Sequence, residues 1–109
     1  MADTLKILGQ VSPAATTVTD LYTVPAGKSS AVSTIVVCNR AATAATFRIS
    51  VAAAGAADAT SQYIFFDQAL DANSTYTATI GVTLATTDKI RVYTSTANFS
   101  ITAFGVEVA

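Results

Sequence analysis

The stretch Asp20–Arg40, DLYTVPAGKSSAVSTIVVCNR, decides the fold of this chain. Pro25 lacks an N–H and fixes its own φ at about −65°, while Gly27 can adopt a positive φ. The sequence therefore predicts a sharp turn here, with one strand ending at Val24. After the turn, residues 31–38 form a β-branched run that is too continuous for simple alternation. Such a run is typical of a central strand, or of one that is covered on both faces.

Strand-like segments recur on both sides of this turn, separated by short polar or Gly- and Pro-containing connections. About eight strands with no convincing helix are typical of a β-sandwich or a small barrel. We predict one all-β domain over residues 1–109, an antiparallel two-sheet sandwich of jelly-roll type. The predicted strands are residues 4–11, 21–24, 29–39, 45–51, 63–66, 75–80, 89–94 and 98–108.

Four segments carry more specific expectations. Residues 1–10 form either an N-terminal arm or the first strand. Residues 41–44 are predicted to be a hairpin loop, although they lack glycine. Residues 55–62, GAADATSQ, are predicted to be a surface loop, and the aromatic run 63–66, YIFF, a short strand with both faces occupied.

The hydrophobic core is predicted from residues that recur at strand periods. In the segment ATFRISV, for example, Phe47, Ile49 and Val51 point to one side, and Arg48 points to the other. The expected core members are Leu21, Val24, Ile35, Val37, Phe47, Ile49, Val51, Phe65, Ile80, Leu84, Ile90, Val92, Phe99 and Ile101.

Composition limits the classes of partner. Six Lys or Arg residues against seven Asp or Glu give a net charge of −1, and these charges are scattered singly, so nucleic acid is not an expected partner. No apolar run approaches the roughly 20 residues that span a bilayer, and no signal peptide is visible, so we expect no membrane contact and synthesis in a cytoplasm. Charged residues are only 12% of the chain, and such weakly solvated surfaces often lie against other protein.

Nothing in the sequence resembles a catalytic or metal-binding constellation. The chain has no histidine, and its single cysteine, Cys38, is expected to be a buried, replaceable core residue. Asp20, Asp71 and Asp88 stand beside turn signals, where side chains commonly hold the backbone. Asp67 and Asp71 are four residues apart, as a glycosidase pair or calcium site would require, but apolar residues separate them. We therefore predict no enzyme, no cofactor and no metal.

Exposed aromatic residues leave one binding alternative open. A sugar- or base-stacking platform could use Tyr63, Phe65, Phe66, Tyr76 and Tyr93, if the tyrosines cluster on one open face. The more common outcome is that such rings cover the core or the sheet edges. Arg48, Lys89 and Arg91 lie on outward registers, where charges usually discourage edge pairing or form salt bridges to a partner.

The segments LYTVPAGK, STIVVCNR and ATFRISV and the ending GVTLATTDKIRVYTSTANFSITAFGVEV resemble a family of small virion proteins of tailed bacteriophages. The resemblance covers nearly the whole chain, and its motifs are a turn and several strands. It implies a β-sandwich built into a virion, best explained as a capsid decoration (cement) protein that binds the major capsid protein. A small tail, baseplate or fibre-associated protein is the runner-up.

The same resemblance implies a homo-oligomer, in particular a trimer at three-fold lattice positions. The sequence offers uncharged faces for such contacts, on residues 75–79 and 100–102, and the segment 1–10 as an arm that reaches a neighbour. The resemblance implies no catalytic or ligand-binding residue for this chain.

Overall fold

The computed structural model describes residues 3–108. They form nine strands in two antiparallel sheets, so the predicted all-β sandwich is confirmed with one strand more than expected. The five-stranded sheet has the order β1-β9-β3-β6, with β7 also paired to β3. Its strands are β1 (Asp3–Val11), β3 (Ser29–Asn39), β6 (Thr75–Ala78), β7 (Val82–Leu84) and β9 (Phe99–Val108).

The four-stranded sheet packs on the inner face of the first, with the order β2-β8-β4-β5. Its strands are β2 (Thr19–Thr23), β4 (Ala45–Ala52), β5 (Tyr63–Leu70) and β8 (Lys89–Thr94). β1 pairs with β9 from Asp3 to Val11, so residues 3–10 are a strand of the sheet and not a free arm. Residues 1 and 2 of the proposed arm lie outside the described part of the chain.

The predicted turn after Val24 is present. Gly27 has a φ of 77°, and the Lys28 amide donates a hydrogen bond of 3.2 Å to the Pro25 carbonyl. The Val24 amide donates to the carbonyl of Asp88, which ties this turn to the β7–β8 connection. β3, which follows the turn, is central in its sheet because β9 lies on one side and β6 and β7 on the other.

Most of the predicted core is buried between the sheets. Val51 and Phe65 are only partly buried and pack against the core. Ile80 is 40% exposed, so its assignment to the core was wrong: β6 ends at Ala78, and the alternation that would bury Ile80 stops there. Cys38 was also misplaced, because it lies on an outward register of β3 and is only partly buried.

The predicted hairpin at residues 41–44 is wrong, because this segment crosses from β3 in one sheet to β4 in the other. Asn39, which is fully buried, holds the crossing. Its amide nitrogen lies 3.0 to 3.2 Å from the carbonyl oxygens of Thr43, Leu70 and Asp71, and its side-chain oxygen accepts from the Ala41 amide.

The aromatic run in β5 also differs from expectation. Ile64 is 43% and Phe66 is 56% exposed, so only the face that carries Phe65 is covered by the core. The reason is that β5 is an edge strand whose pairing with β4 shifts register twice. Residues 55–62 are a connection as predicted, and two short 3-10 turns, Ala53–Gly55 and Thr60–Gln62, lie at its ends.

Candidate functional site

The most organised surface feature is a stack around Arg48 on the outer face of the four-stranded sheet. Arg48 lies in β4, between β5 and β8. Its guanidinium carbon lies 4.1 Å from the ring centroid of Phe66 and 4.3 Å from that of Tyr93. The same guanidinium makes a two-point ion pair with Asp67, at 2.6 and 3.2 Å. Arg48 is therefore held by two cation–π contacts and a carboxylate.

A β-bulge builds this arrangement. Ile49 pairs with Phe65 and Phe47 pairs with Gln68, so the two residues between the β5 partners both lie opposite Arg48. Asp67 accommodates the extra residue with a φ of 50°, an uncommon conformation for a residue other than glycine. The bulge thus presents a ring and a carboxylate to one arginine.

Tyr63 extends the stack toward the 53–62 connection. Its ring meets Phe66 edge-on, with centroids 5.1 Å apart and planes at 84°. The Tyr63 hydroxyl lies 3.3 Å from the carboxylate of Asp58. Partial burial raises the pKa of the Tyr63 hydroxyl, and the neighbouring Asp58 carboxylate adds to this. The Arg48 hydrogen bond lowers the pKa of Asp67, so this carboxylate stays charged at neutral pH.

The predicted aromatic platform is therefore only partly assembled. Tyr63, Phe66 and Tyr93 share the outer face of the four-stranded sheet. Phe65 and Tyr76 instead pack on Phe47 at the core, with centroids 5.9 and 5.8 Å from it. Two of the three candidate tyrosines cluster on an open face, and the third does not.

A second ion-pair group lies on the same face. Asp20 in β2 accepts from Lys89 at 2.8 Å and lies 3.4 Å from Arg91, and the Lys89 hydrogen bond lowers the pKa of Asp20. Asp20 was expected at a turn, but it lies inside a strand, and its partners are the outward charges of β8. The role expected of Asp88 is present: it accepts from the amides of Ala54 and Ala85, which lowers its pKa.

The proposed carboxylate pair does not form a site. Asp67 is held by Arg48, and Asp71 uses its backbone carbonyl to accept from Asn39. Within residues 3–108 no group of three or more His, Cys, Asp or Glu side chains is placed to hold a metal ion, and no enclosed pocket is present. No helix in the described part of the chain is long and apolar enough to cross a membrane.

The outer face of the five-stranded sheet has the opposite character. Leu5 is 85%, Ile7 53% and Phe104 39% exposed, and the pairing of β1 with β9 places Ile7 directly opposite Phe104. The surrounding outward registers carry small uncharged side chains, such as Thr102 and Thr77. The sequence indicated the uncharged registers and offered residues 1–10 as an arm that reaches a neighbour, but it did not indicate that Leu5 and Ile7 lie beside Phe104 on one sheet face.

A buried polar network, which sequence reasoning missed, joins the two sheets. Glu107 in β9 is 4% exposed and accepts from the hydroxyl of Tyr22 in β2 at 2.7 Å. Lys6 lies 3.3 Å and Lys28 3.8 Å from the other carboxylate oxygen. The Tyr22 hydrogen bond lowers the pKa of Glu107, with Lys6 and Lys28 contributing in the same direction. This network fastens β1, β2 and β9 together.

Comparison with protein-family models, curated proteins and solved structures finds no match to this chain.

Proposed function

We propose that this protein is a non-enzymatic structural subunit of a virion, most specifically a capsid decoration (cement) protein that stabilises the lattice of the major capsid protein. The proposal combines the sequence resemblance to small phage virion proteins with one structural observation. The charges of the sandwich are segregated: the outer face of the four-stranded sheet carries ion pairs, while that of the five-stranded sheet exposes Leu5, Ile7 and Phe104 and has Asp3 as its one charged residue among those described. Exposed apolar patches of this kind mark protein interaction sites.

The titratable side chains support a structural role. Asp20, Asp67, Asp88 and Glu107 are each held by hydrogen bonds or ion pairs to other residues of the chain. These contacts connect neighbouring strands or fix loops. A rigid sandwich with such fixed charges suits a subunit whose task is to bind and brace other proteins.

We propose further that the protein acts as a homo-oligomer in the virion, with a trimer matching three-fold positions of a capsid lattice. Its partner is then the major capsid protein. A position in the tail, baseplate or fibre is the alternative within the same class.

Copy number in purified particles tests the proposal. Quantitative mass spectrometry should find hundreds of copies, in a fixed ratio to the major capsid subunit. A dozen or fewer copies would move the protein to the tail, and its absence from particles would refute a virion role.

Carbohydrate binding is the second candidate function. The observation that favours it is the group of Tyr63, Phe66 and Tyr93 on one open face, because sugars stack on exposed rings and hydrogen-bond to flanking polar groups such as Asp58. A glycan array should then show binding that Phe66→Ala abolishes. The matched control is Ile80→Ala, which removes an exposed apolar side chain between β6 and β7, away from the three rings. No binding by the wild-type protein, or equal loss in both variants, would exclude this function.

A further inference from the structure

We propose that copies of this chain associate with one another through the outer face of the five-stranded sheet, which we term the association face. It comprises the outward registers of five strands, and its occupant is another copy of the same face. Its large apolar residues are Leu5 and Ile7 of β1 and Phe104 and Val106 of β9. Its other outward positions on β3, β6, β7 and β9 carry small uncharged side chains, and β1 adds Asp3 and Gln10.

The apolar part of this face is contiguous. Ile7 pairs with Phe104 and Leu5 with Val106, so four large apolar side chains lie side by side on two neighbouring strands. Directly paired residues on one face of an antiparallel sheet have Cβ atoms about 5 Å apart, close enough for their side chains to touch. Leu5 is 85% exposed, which leaves most of its side chain in water in the isolated chain. Association removes this surface from water.

The charge distribution identifies the occupant. Among the described residues, Asp3 at the start of β1 is the one charged side chain on the outward registers of the association face. Two such faces can therefore meet without stripping water from an ion pair, and like charges can oppose each other only at this corner of the sheet. A strongly charged partner would find no opposite charge to pair with. The four-stranded sheet is different, since burying its outer face would desolvate the Arg48–Asp67 and Lys89–Asp20 pairs.

The size of the face is sufficient. Three strands of about ten residues, β1, β3 and β9, and a fourth position shared by the short β6 and β7 cover roughly 600 Å², at about 4.8 Å between strands and about 3.3 Å per residue. Two copies would bury about 1,200 Å², the lower limit for specific, stable interfaces. Three copies with this face turned toward a three-fold axis would bury about 1,800 Å² together, so the face suits the proposed trimer as well as a dimer.

Cys38 provides a reporter within the native sequence. It lies on the association face, on β3, where it pairs with Thr75 on one side and Ser100 on the other. The thiol is partly exposed in the single chain. Association should therefore shield it from labelling reagents, whereas contact through any other surface should not.

The test needs no virus particles, so its failure and the failure of the proposed virion role can be told apart. Sedimentation equilibrium of the full chain should give a multiple of 11.1 kDa, and labelling of Cys38 should slow as protein concentration rises. Ile7→Asp places an unpaired charge in the contact and should weaken association more than about 30-fold, with concentration-independent labelling. The matched control is Ile64→Asp, which changes an isoleucine of similar exposure on β5.

Circular dichroism must show the same strand content in both variants. If Ile7→Asp does not fold, Leu5→Asp replaces it, because the Leu5 side chain makes fewer contacts with the sandwich. A wild-type monomer at all concentrations would overturn the proposal. So would oligomers that leave Cys38 fully reactive, or equal weakening by the Ile64 variant.

Discussion

Tyr22→Phe tests the buried network that joins the two sheets. The Tyr22 hydroxyl lies 2.6 Å from Ser30 Oγ and 2.7 Å from Glu107 Oε2. Because a carboxylate can only accept, the phenol proton goes to Glu107, and Ser30 donates to the phenol oxygen. The substitution removes one oxygen and leaves both partners buried with a missing hydrogen bond.

The expected loss is about 2 kcal/mol of unfolding free energy, since hydrogen bonds to charged groups contribute roughly 1.5–3 kcal/mol. With an unfolding entropy of about 2.1 cal/mol/K per residue, this corresponds to a Tm about 9 °C lower for a chain of this length. Tyr63→Phe is the control, because its hydroxyl bonds to Asp58 at the surface, at 3.3 Å. That change should cost less than about 0.5 kcal/mol. Denaturant unfolding followed by circular dichroism measures both.

The pH dependence of the Tyr22→Phe effect is a stricter test. Burial, helped by the hydrogen bond to Glu107, raises the pKa of Tyr22 to about 12 from an ordinary value of 10.0. A raised pKa means that stability is fully present below pH 10 and is lost as the pH rises through the folded-state value. Wild-type protein should therefore lose up to about 1.4 kcal/mol per pH unit from this group between pH 10 and 12, and the variant should not.

At acid pH the direction of the stability change is reversed, because Glu107 is then the group that titrates. The Tyr22 hydrogen bond lowers the pKa of Glu107 from 4.5, so its stabilisation is present above that pH and is lost as the pH falls through the folded-state value. The difference between wild type and variant should therefore be largest near neutrality and shrink in both directions. A difference below about 0.5 kcal/mol at pH 7, or one that does not change with pH, would refute the network.

Three further predictions, which use four substitutions, are tested by thermal or denaturant melts. Gly27→Val should cost roughly 1–3 kcal/mol of unfolding free energy from backbone strain alone, because φ is 77° and nothing lies near an added Cβ. Asp58→Ala, the comparison, should cost almost nothing. A larger loss for Asp58→Ala than for Gly27→Val would contradict the turn. Gly105→Ala should cost more than about 3 kcal/mol, since its methyl group would collide with the backbone carbonyl of Ala31, and a folded variant of normal stability would exclude this close approach. Cys38→Ala should cost about 1 kcal/mol or less because the thiol is only partly buried, and a much larger loss would mean that it belongs to the core.

The sequence predicted best those features that local periodicity determines. Phe47 and Ile49 in β4 and Ile90 and Val92 in β8 alternate with polar residues, and all four are buried. The turn at Gly27 also followed from local chemistry, because few residues other than glycine adopt a positive φ there at low cost. Local patterns are enough to predict which residues are buried where a strand has one buried and one solvated face.

The same reasoning failed where pairing between distant segments decides the outcome. The sequence predicts either an arm or a first strand for residues 1–10 and no core residue there, whereas the register of β1 on β9 turns Leu5 and Ile7 outward and buries Leu8. The hydrogen bond between Tyr22 and Glu107 joins residues 85 positions apart, and no local pattern marks it. The Arg48 stack depends on a bulge in β5, and a bulge shifts every later residue of the strand relative to its partner.

The sheet edges indicate why association through a face would end in a closed assembly and not in a growing fibre. Two of the four sheet edges, β5 and β1, carry features that resist the addition of another strand. β5 carries the bulge at Asp67, and β1 has a register shift after Ile7 and turns Lys6 toward Glu107 at the interior. Bulges and inward-pointing charges are known means of blocking edge-to-edge pairing. A contact between identical faces, by contrast, closes around a symmetry axis and buries the apolar surface that would otherwise recruit more copies.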